Sequence, residues 1–177
     1  MRSLKFGFQL SKKAKDEVLS MGEQFATYIQ TVQEKDLEFV QEIYDQLTQN
    51  DLCTCEIKPA KSGSVVSFIR KDTKKTLANL VTRKAGMKLR IYADHVRQYE
   101  DFLDTIPEKM KKEIKKASIC KRLVNPEDCN PRCFMGYTFH LDGELYKKCR
   151  YMAFMITLSL ENSPFILQIL EKELNCQ

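Results

Sequence analysis

From Ser11 to about Gln49 apolar residues recur at three- and four-residue steps: Val18, Met21, Phe25, Tyr28 and Val32, then Leu37, Val40, Tyr44 and Leu47. That spacing places them on one face of a helix. The phase slips near Lys35-Asp36, which predicts two helices, with Asp36 as N-cap of the second and Asn50-Asp51 closing it. The period then becomes that of strands. Leu52 to Lys58 predicts a short strand and Pro59 to Gly63 a loop. Ser64 to Lys71, a segment around Leu77, Leu80 and Val81, and Met87 to Ala93 predict a three-stranded antiparallel meander, with turns at 72–75 and at Ala85-Gly86. Asp94 suits the N-cap of a helix reaching about Thr105, and a second helix fits Glu108 to Ala117.

A similar order of elements returns further on. Tyr137 to Leu141 predicts a strand, Asp142-Gly143 a hairpin turn, and Glu144 to Ser159 a long strand bent near Arg150-Tyr151. Ser163-Pro164 places a cap and an early proline before a helix to about Leu174, with Phe165, Ile166, Ile169 and Leu170 as its buried stripe. The expected fold class is therefore α+β: an antiparallel sheet in two meander–helix lobes, preceded by an N-terminal helical pair. The organisation predicted is a helical segment over 1–51 and an α+β domain over 52–177, with a cysteine-rich loop at 118–135.

Composition narrows the class. A chain of 177 residues, 43% hydrophobic and 30% charged, suits a globular protein with a proper core. No apolar run reaches the roughly 18 residues of a membrane span, and no apolar stretch follows the basic residues of the N-terminus as in a secretory signal. Seven cysteines without an export signal predict a cytoplasmic location and metal or thiol chemistry rather than disulfides. The net charge of +5 is uneven: residues 1–56 hold 6 basic and 10 acidic side chains, whereas 109–150 hold 11 and 5. That gradient favours an anionic partner, whether a small molecule, nucleic acid or an acidic protein surface; a solvated lysine-rich helix face explains it as well. The acidic N-terminal helices either dock in cis or join two copies into a homo-oligomer.

Four cysteines, Cys120, Cys129, Cys133 and Cys149, are spaced C-x8-C-x3-C-x15-C. The turn-forming Cys129-Asn130-Pro131-Arg132-Cys133 can aim two sulfurs at one point, and the flanking segments can add two more. Four converging thiolates suit a closed, structural, tetrahedral Zn2+ site. Lys121, Arg122, Arg132, Lys147, Lys148 and Arg150 flank these cysteines and would favour thiolates. The same residues also fit a thiol redox sensor or enzyme that uses Cys129 and Cys133, or plain buried side chains. Cys53 and Cys55 alternate on a strand and share a face. His95 and His140 fit structural roles. Tyr137, Phe139, Tyr146 and Tyr151, interleaved with Lys147 and Arg150, fit either packing or a stacking surface for single-stranded nucleic acid. The function expected is a non-enzymatic module that binds a ligand or partner, with a four-cysteine zinc site and a binding rim of Lys121, Arg122, Arg132, Tyr137, Lys147 and Arg150. A thiol-dependent sensor and a nucleic-acid-associated protein are the alternatives.

The first meander, with its polar turn, Gly turn and Leu89-Arg90-Ile91 strand before Asp94, resembles the small α+β domains of the MmcQ/YjbR and TfoX N-terminal type over residues 37–105. The segment Cys120-Lys121-Arg122-Leu123, Asn125-Pro126, Asp128-Cys129-Asn130-Pro131, Gly136-Tyr137 and Lys148-Cys149-Arg150-Tyr151 resembles an uncharacterised family of Firmicutes proteins, over about 64–174. The paired strand–helix units are also similar to effector-binding domains of bacterial transcription regulators, although the order of elements differs. These resemblances imply an α+β fold and carry no activity with them.

Overall fold

The computed structural model describes residues 22–61, 63–83 and 86–176. The beginning of the first expected helix, with Val18 and Met21, and Ala85 of the expected turn lie outside the described residues. Within them the fold is α+β. Residues 22–29 form helix α1, and Glu34–Thr48 forms α2. The break precedes the expected slip, so Gln33 and not Asp36 holds the N-cap position; Asp36 is buried in the first turn of α2. Its carboxylate there lies at the end of the helix where negative charge is favoured.

Four strands follow in a meander: β1 (Cys53–Ala60), β2 (Gly63–Arg70), β3 (Thr76–Arg83) and β4 (Gly86–Ile91), each antiparallel to the next. Pro59 and Ala60, expected in a loop, extend β1. Instead of one helix capped by Asp94, a 3₁₀ turn at Val96–Tyr99 runs into the single-turn α3 (Glu100–Leu103). Then come α4 (Glu108–Lys116) and a short α5 (Lys121–Val124). Strands β5 (Tyr137–Leu141) and β6 (Glu144–Lys148) form a separate two-stranded sheet. Asp142 and Gly143 turn this hairpin with φ of 52° and 76°, the left-handed pair that a tight hairpin requires.

The long strand expected over 144–159 is divided. At Cys149 the chain turns, with the Cys149 carbonyl accepting from the N–H groups of Met152 and Ala153 at 3.0 and 2.9 Å. Strand β7 (Met155–Thr157) then joins the first sheet beside β4, giving the order β1-β2-β3-β4-β7. Helix α6 (Ser163–Asn175) completes the described chain.

Register explains where the core lies. Cys55 faces Phe68, Ile57 faces Val66, Phe68 faces Ala78, Val66 faces Leu80, Leu80 faces Leu89 and Leu89 faces Ile156. Residues directly opposite share a face, so these form one apolar surface, while Ser67, Asn79, Lys88 and Arg90 share the other. Helices α1, α2 and α6 pack against the apolar surface. Phe25 of α1 stacks on Tyr44 of α2 at 3.7 Å, and the Tyr28 hydroxyl reaches the Met87 sulfur at 3.9 Å. Ser163 of α6 donates to Glu42 of α2 at 3.1 Å. The described N-terminal helices therefore dock in cis. Phe154, fully buried, joins the two sheets: its ring meets Tyr137 and Phe139 at 5.9 and 5.4 Å, and its carbonyl accepts from Ile91 N–H at 2.9 Å. Among the described residues no helix is long and apolar enough to cross a membrane.

Candidate functional site

The cysteine segment is built by short-range hydrogen bonds. Residues 118–120 run beside the end of β6: Cys120 N–H donates to Lys147 O at 3.0 Å and Cys149 N–H to Ser118 O at 2.8 Å. Cys120 and Cys149 thus sit on adjacent extended segments. The Asn125 side chain accepts from Glu127 N–H at 3.3 Å and starts the 3₁₀ turn Pro126–Asp128. Asn130 repeats the device, accepting from Arg132 N–H at 2.9 Å, and its carbonyl receives Cys133 N–H at 2.8 Å. Asn side chains favour such turns because they mimic the backbone acceptor. Arg122 latches the loop to α5, donating to Pro131 O at 2.9 Å and also to Cys133 O.

The four thiols share one neighbourhood. Burial pushes the Cys133 thiol above its ordinary range, and the adjacent Cys129 thiol adds to this by hydrogen bonding and charge; Cys149 and Cys120 raise it further. That direction corrects the expected effect of the basic neighbours. The Arg122 guanidinium is turned onto carbonyls, and the buried Lys148 ammonium caps the end of α4, donating to Ala117 O at 2.8 Å and to Lys115 O. Arg150 is turned onto Asp94. Among the described residues no group of three or more His, Cys, Asp or Glu side chains is arranged to hold a metal ion.

Two of these cysteines lead directly into a groove. Phe134 follows Cys133 and Arg150 follows Cys149, and both line a cavity of about 360 Å³ with Lys75, Thr76, Tyr92, Asp94 and Tyr151. A second cavity of about 350 Å³ shares Lys75, Thr76, Tyr92 and Asp94 in its lining and also reaches His95 and Glu173. Arg150 forms the floor. It makes a two-armed ion pair with Asp94, 2.8 Å on the Nη2 arm, and its guanidinium lies 5.3, 5.5 and 5.8 Å from the rings of Tyr92, Tyr137 and Phe134. Burial works against the Arg150 charge, but the Asp94 pairing prevails and raises its pKa. The Tyr137 hydroxyl is buried and has no hydrogen-bond partner among the described residues, a condition usually met by a water or ligand atom.

Chain comparisons name no relative. No family model, no curated protein and no solved structure matches the chain.

The second cavity is lined in part by a buried carboxylate. Glu173 accepts from Tyr99 Oη at 2.5 Å and from His95 N–H at 3.1 Å, and its other oxygen meets His95 Nδ1 at 3.0 Å. Burial raises the Glu173 pKa, against the lowering effect of these hydrogen bonds. Of the expected binding residues, Arg150 lies in the groove and Tyr137 is buried beneath it. Lys121, Arg132 and Lys147 are exposed around the cysteine segment, and Arg122 is the loop latch. Cys53 and Cys55 are buried on the apolar face, where burial pushes their thiols up to about 11 and about 12. His140 pairs with Glu100 at 2.9 Å. Tyr92, Asp94, Phe134, Lys75 and Thr76 were not singled out as site residues by sequence. The one signal available was the aromatic-acid-histidine run Tyr92-Ala93-Asp94-His95 directly after a strand.

Proposed function

We propose that this chain is a non-enzymatic binding module that takes a small ligand or anionic partner in the groove beside Arg150, with the cysteine segment bracing one wall. The observation that carries this reading is the direct succession of Cys133 to Phe134 and of Cys149 to Arg150, which makes the thiol neighbourhood and the groove wall one unit. The volume lies at the small end of ligand sites, which run from about 300 to 1,000 Å³. The charged groups at the floor are engaged with one another, as in a receptor surface held ready for a guest.

Zinc would be held by Cys120, Cys129, Cys133 and Cys149, and would supply folding free energy and neutralise thiolates rather than activate a water. The donors suit zinc in kind, and repulsion among neighbouring thiolates is what a bound cation relieves; as they stand they do not form a ligand set. Metal analysis of purified protein tests this. About one zinc per chain, lost in Cys133→Ser, supports the staple. Metal-free protein in which Cys129 and Cys133 are oxidised by glutathione disulfide supports the second reading, a thiol switch, which the adjacency of those two thiols favours. Against that switch, burial and the neighbouring thiols disfavour the Cys133 thiolate that exchange requires.

The binding reading is tested by amide chemical shifts titrated with AMP, citrate, inorganic phosphate and a mixed-sequence oligonucleotide at two salt concentrations. Saturable shifts at Thr76, Tyr92 and Tyr151 support the groove. Shifts confined to Lys121, Arg132 and Lys147, vanishing steeply with salt, would instead support nucleic-acid association. No shift with any of these probes or with an aromatic carboxylate overturns the reading.

A further inference from the structure

The groove's charges decide what kind of guest it suits. Arg150 is neutralised by Asp94, Arg70 by Asp72 at 2.6 Å, and His95 stands against Glu173 at 3.0 Å. The Lys75 ammonium, exposed and in the lining of both cavities, has no carboxylate within ion-pair distance among the described residues. Among the described residues the neighbouring Thr76 hydroxyl likewise makes no side-chain hydrogen bond. An anion placed on Arg150 would meet the Asp94 carboxylate, whereas one placed on Lys75 meets an uncompensated cation.

The remaining lining is aromatic. Phe134 is 71% exposed and Tyr151 38% exposed, although both border the same concave surface. Tyr92 stands edge-on to Tyr151 at 6.2 Å. A flat guest laid on such rings is favoured, since stacked and edge-to-face aromatic pairs gain energy beyond area burial.

We propose that the groove binds a planar aromatic monoacid, its ring against Phe134 and Tyr151 and its carboxylate on Lys75 and Thr76. This rests on the binding-module reading and names the class of ligand. Arg150 then acts as a flat, charge-compensated floor, not as the anion receptor.

The test uses 2-naphthoate, its uncharged amide 2-naphthamide, and cyclohexanecarboxylate, titrated by amide chemical shift into the full chain and two variants. Lys75→Met and Phe134→Ala alter exposed side chains, so both variants keep the fold. Expected is saturable binding of 2-naphthoate with shifts at Thr76, Tyr92 and Tyr151. Lys75→Met should weaken it about two- to fivefold and leave 2-naphthamide unchanged, the scale of one solvent-exposed ion pair. Phe134→Ala should weaken both aromatic probes, and cyclohexanecarboxylate should bind least. If AMP, citrate or phosphate shifts the groove while 2-naphthoate does not, the ligand class is wrong and the binding module stands. If Lys75→Met leaves naphthoate affinity intact, the carboxylate position is wrong. If no anion shifts the groove, both fall together.

Discussion

At Gly136 a β-carbon would stand 2.7 Å from Cys120 Cβ and 2.8 Å from its sulfur, and closer still to the carbonyl oxygen of Lys148. Backbone cannot yield there without parting residues 118–120 from β6, since Lys148 and Ile119 form a bridge. Gly136→Ala should therefore destabilise the chain by roughly 1–3 kcal/mol, as overpacking does. Urea titration measures the loss, and faster alkylation of the buried Cys120 would locate it. At this scale the cysteine spacing was legible in sequence because four thiols within thirty residues are conspicuous. Their electrostatics were not. Basic residues adjacent in sequence turned to carbonyls and to Asp94, so nearness along the chain said little about nearness to sulfur.

Helix α4 is tied to the sheets through polar contacts. Glu113 accepts from Thr157 N–H at 2.9 Å and from the Thr157 hydroxyl, and pairs with Lys88 at 2.9 Å, linking α4 to β7 and β4. Burial opposes the Glu113 charge, but those hydrogen bonds outweigh it and hold its carboxyl below the ordinary 4.5. A carboxyl depressed in the folded state contributes stability that is complete above its unfolded pKa and is lost as pH falls through the folded value. Glu113→Gln should thus flatten the fall in stability on acidification below about pH 4.5, seen by comparing denaturation midpoints of the two proteins at a series of pH values. The first meander could be read from sequence because β1, β2 and β4 alternate more and less buried positions over much of their length. Residues 144–159 could not. Their β-prone composition runs unbroken across Cys149–Phe154, and only the turn at Cys149 shows that β6 and β7 belong to different sheets.

The molecule as a whole is held across its two sheets by Phe154, whose ring touches the hairpin and whose carbonyl touches β4. Phe154→Ala should cost about 3–5 kcal/mol, the range for removing a fully buried phenylalanine. It should also loosen the hairpin selectively, so hydrogen exchange at Phe139 and Tyr146 should accelerate more than at Val66 and Leu80. The groove was illegible for a reason of the same scale. Its walls come from Lys75-Thr76, Tyr92 to Asp94, Phe134 and Arg150-Tyr151, segments that no local periodicity connects. They meet only because β7 crosses over to join β4.

Among the described residues that crossover leaves β1 as the sheet's long outer strand, with β7, three residues in length, at the opposite border. An uncovered strand invites another chain to extend the ladder. Pro59 interrupts the row of donors on β1, and Glu56 and Lys58 pair along it at 2.7 Å. Replacing Pro59 with valine would restore a continuous template, and self-association by strand addition, visible as growing particle size at rising concentration, is the consequence to expect.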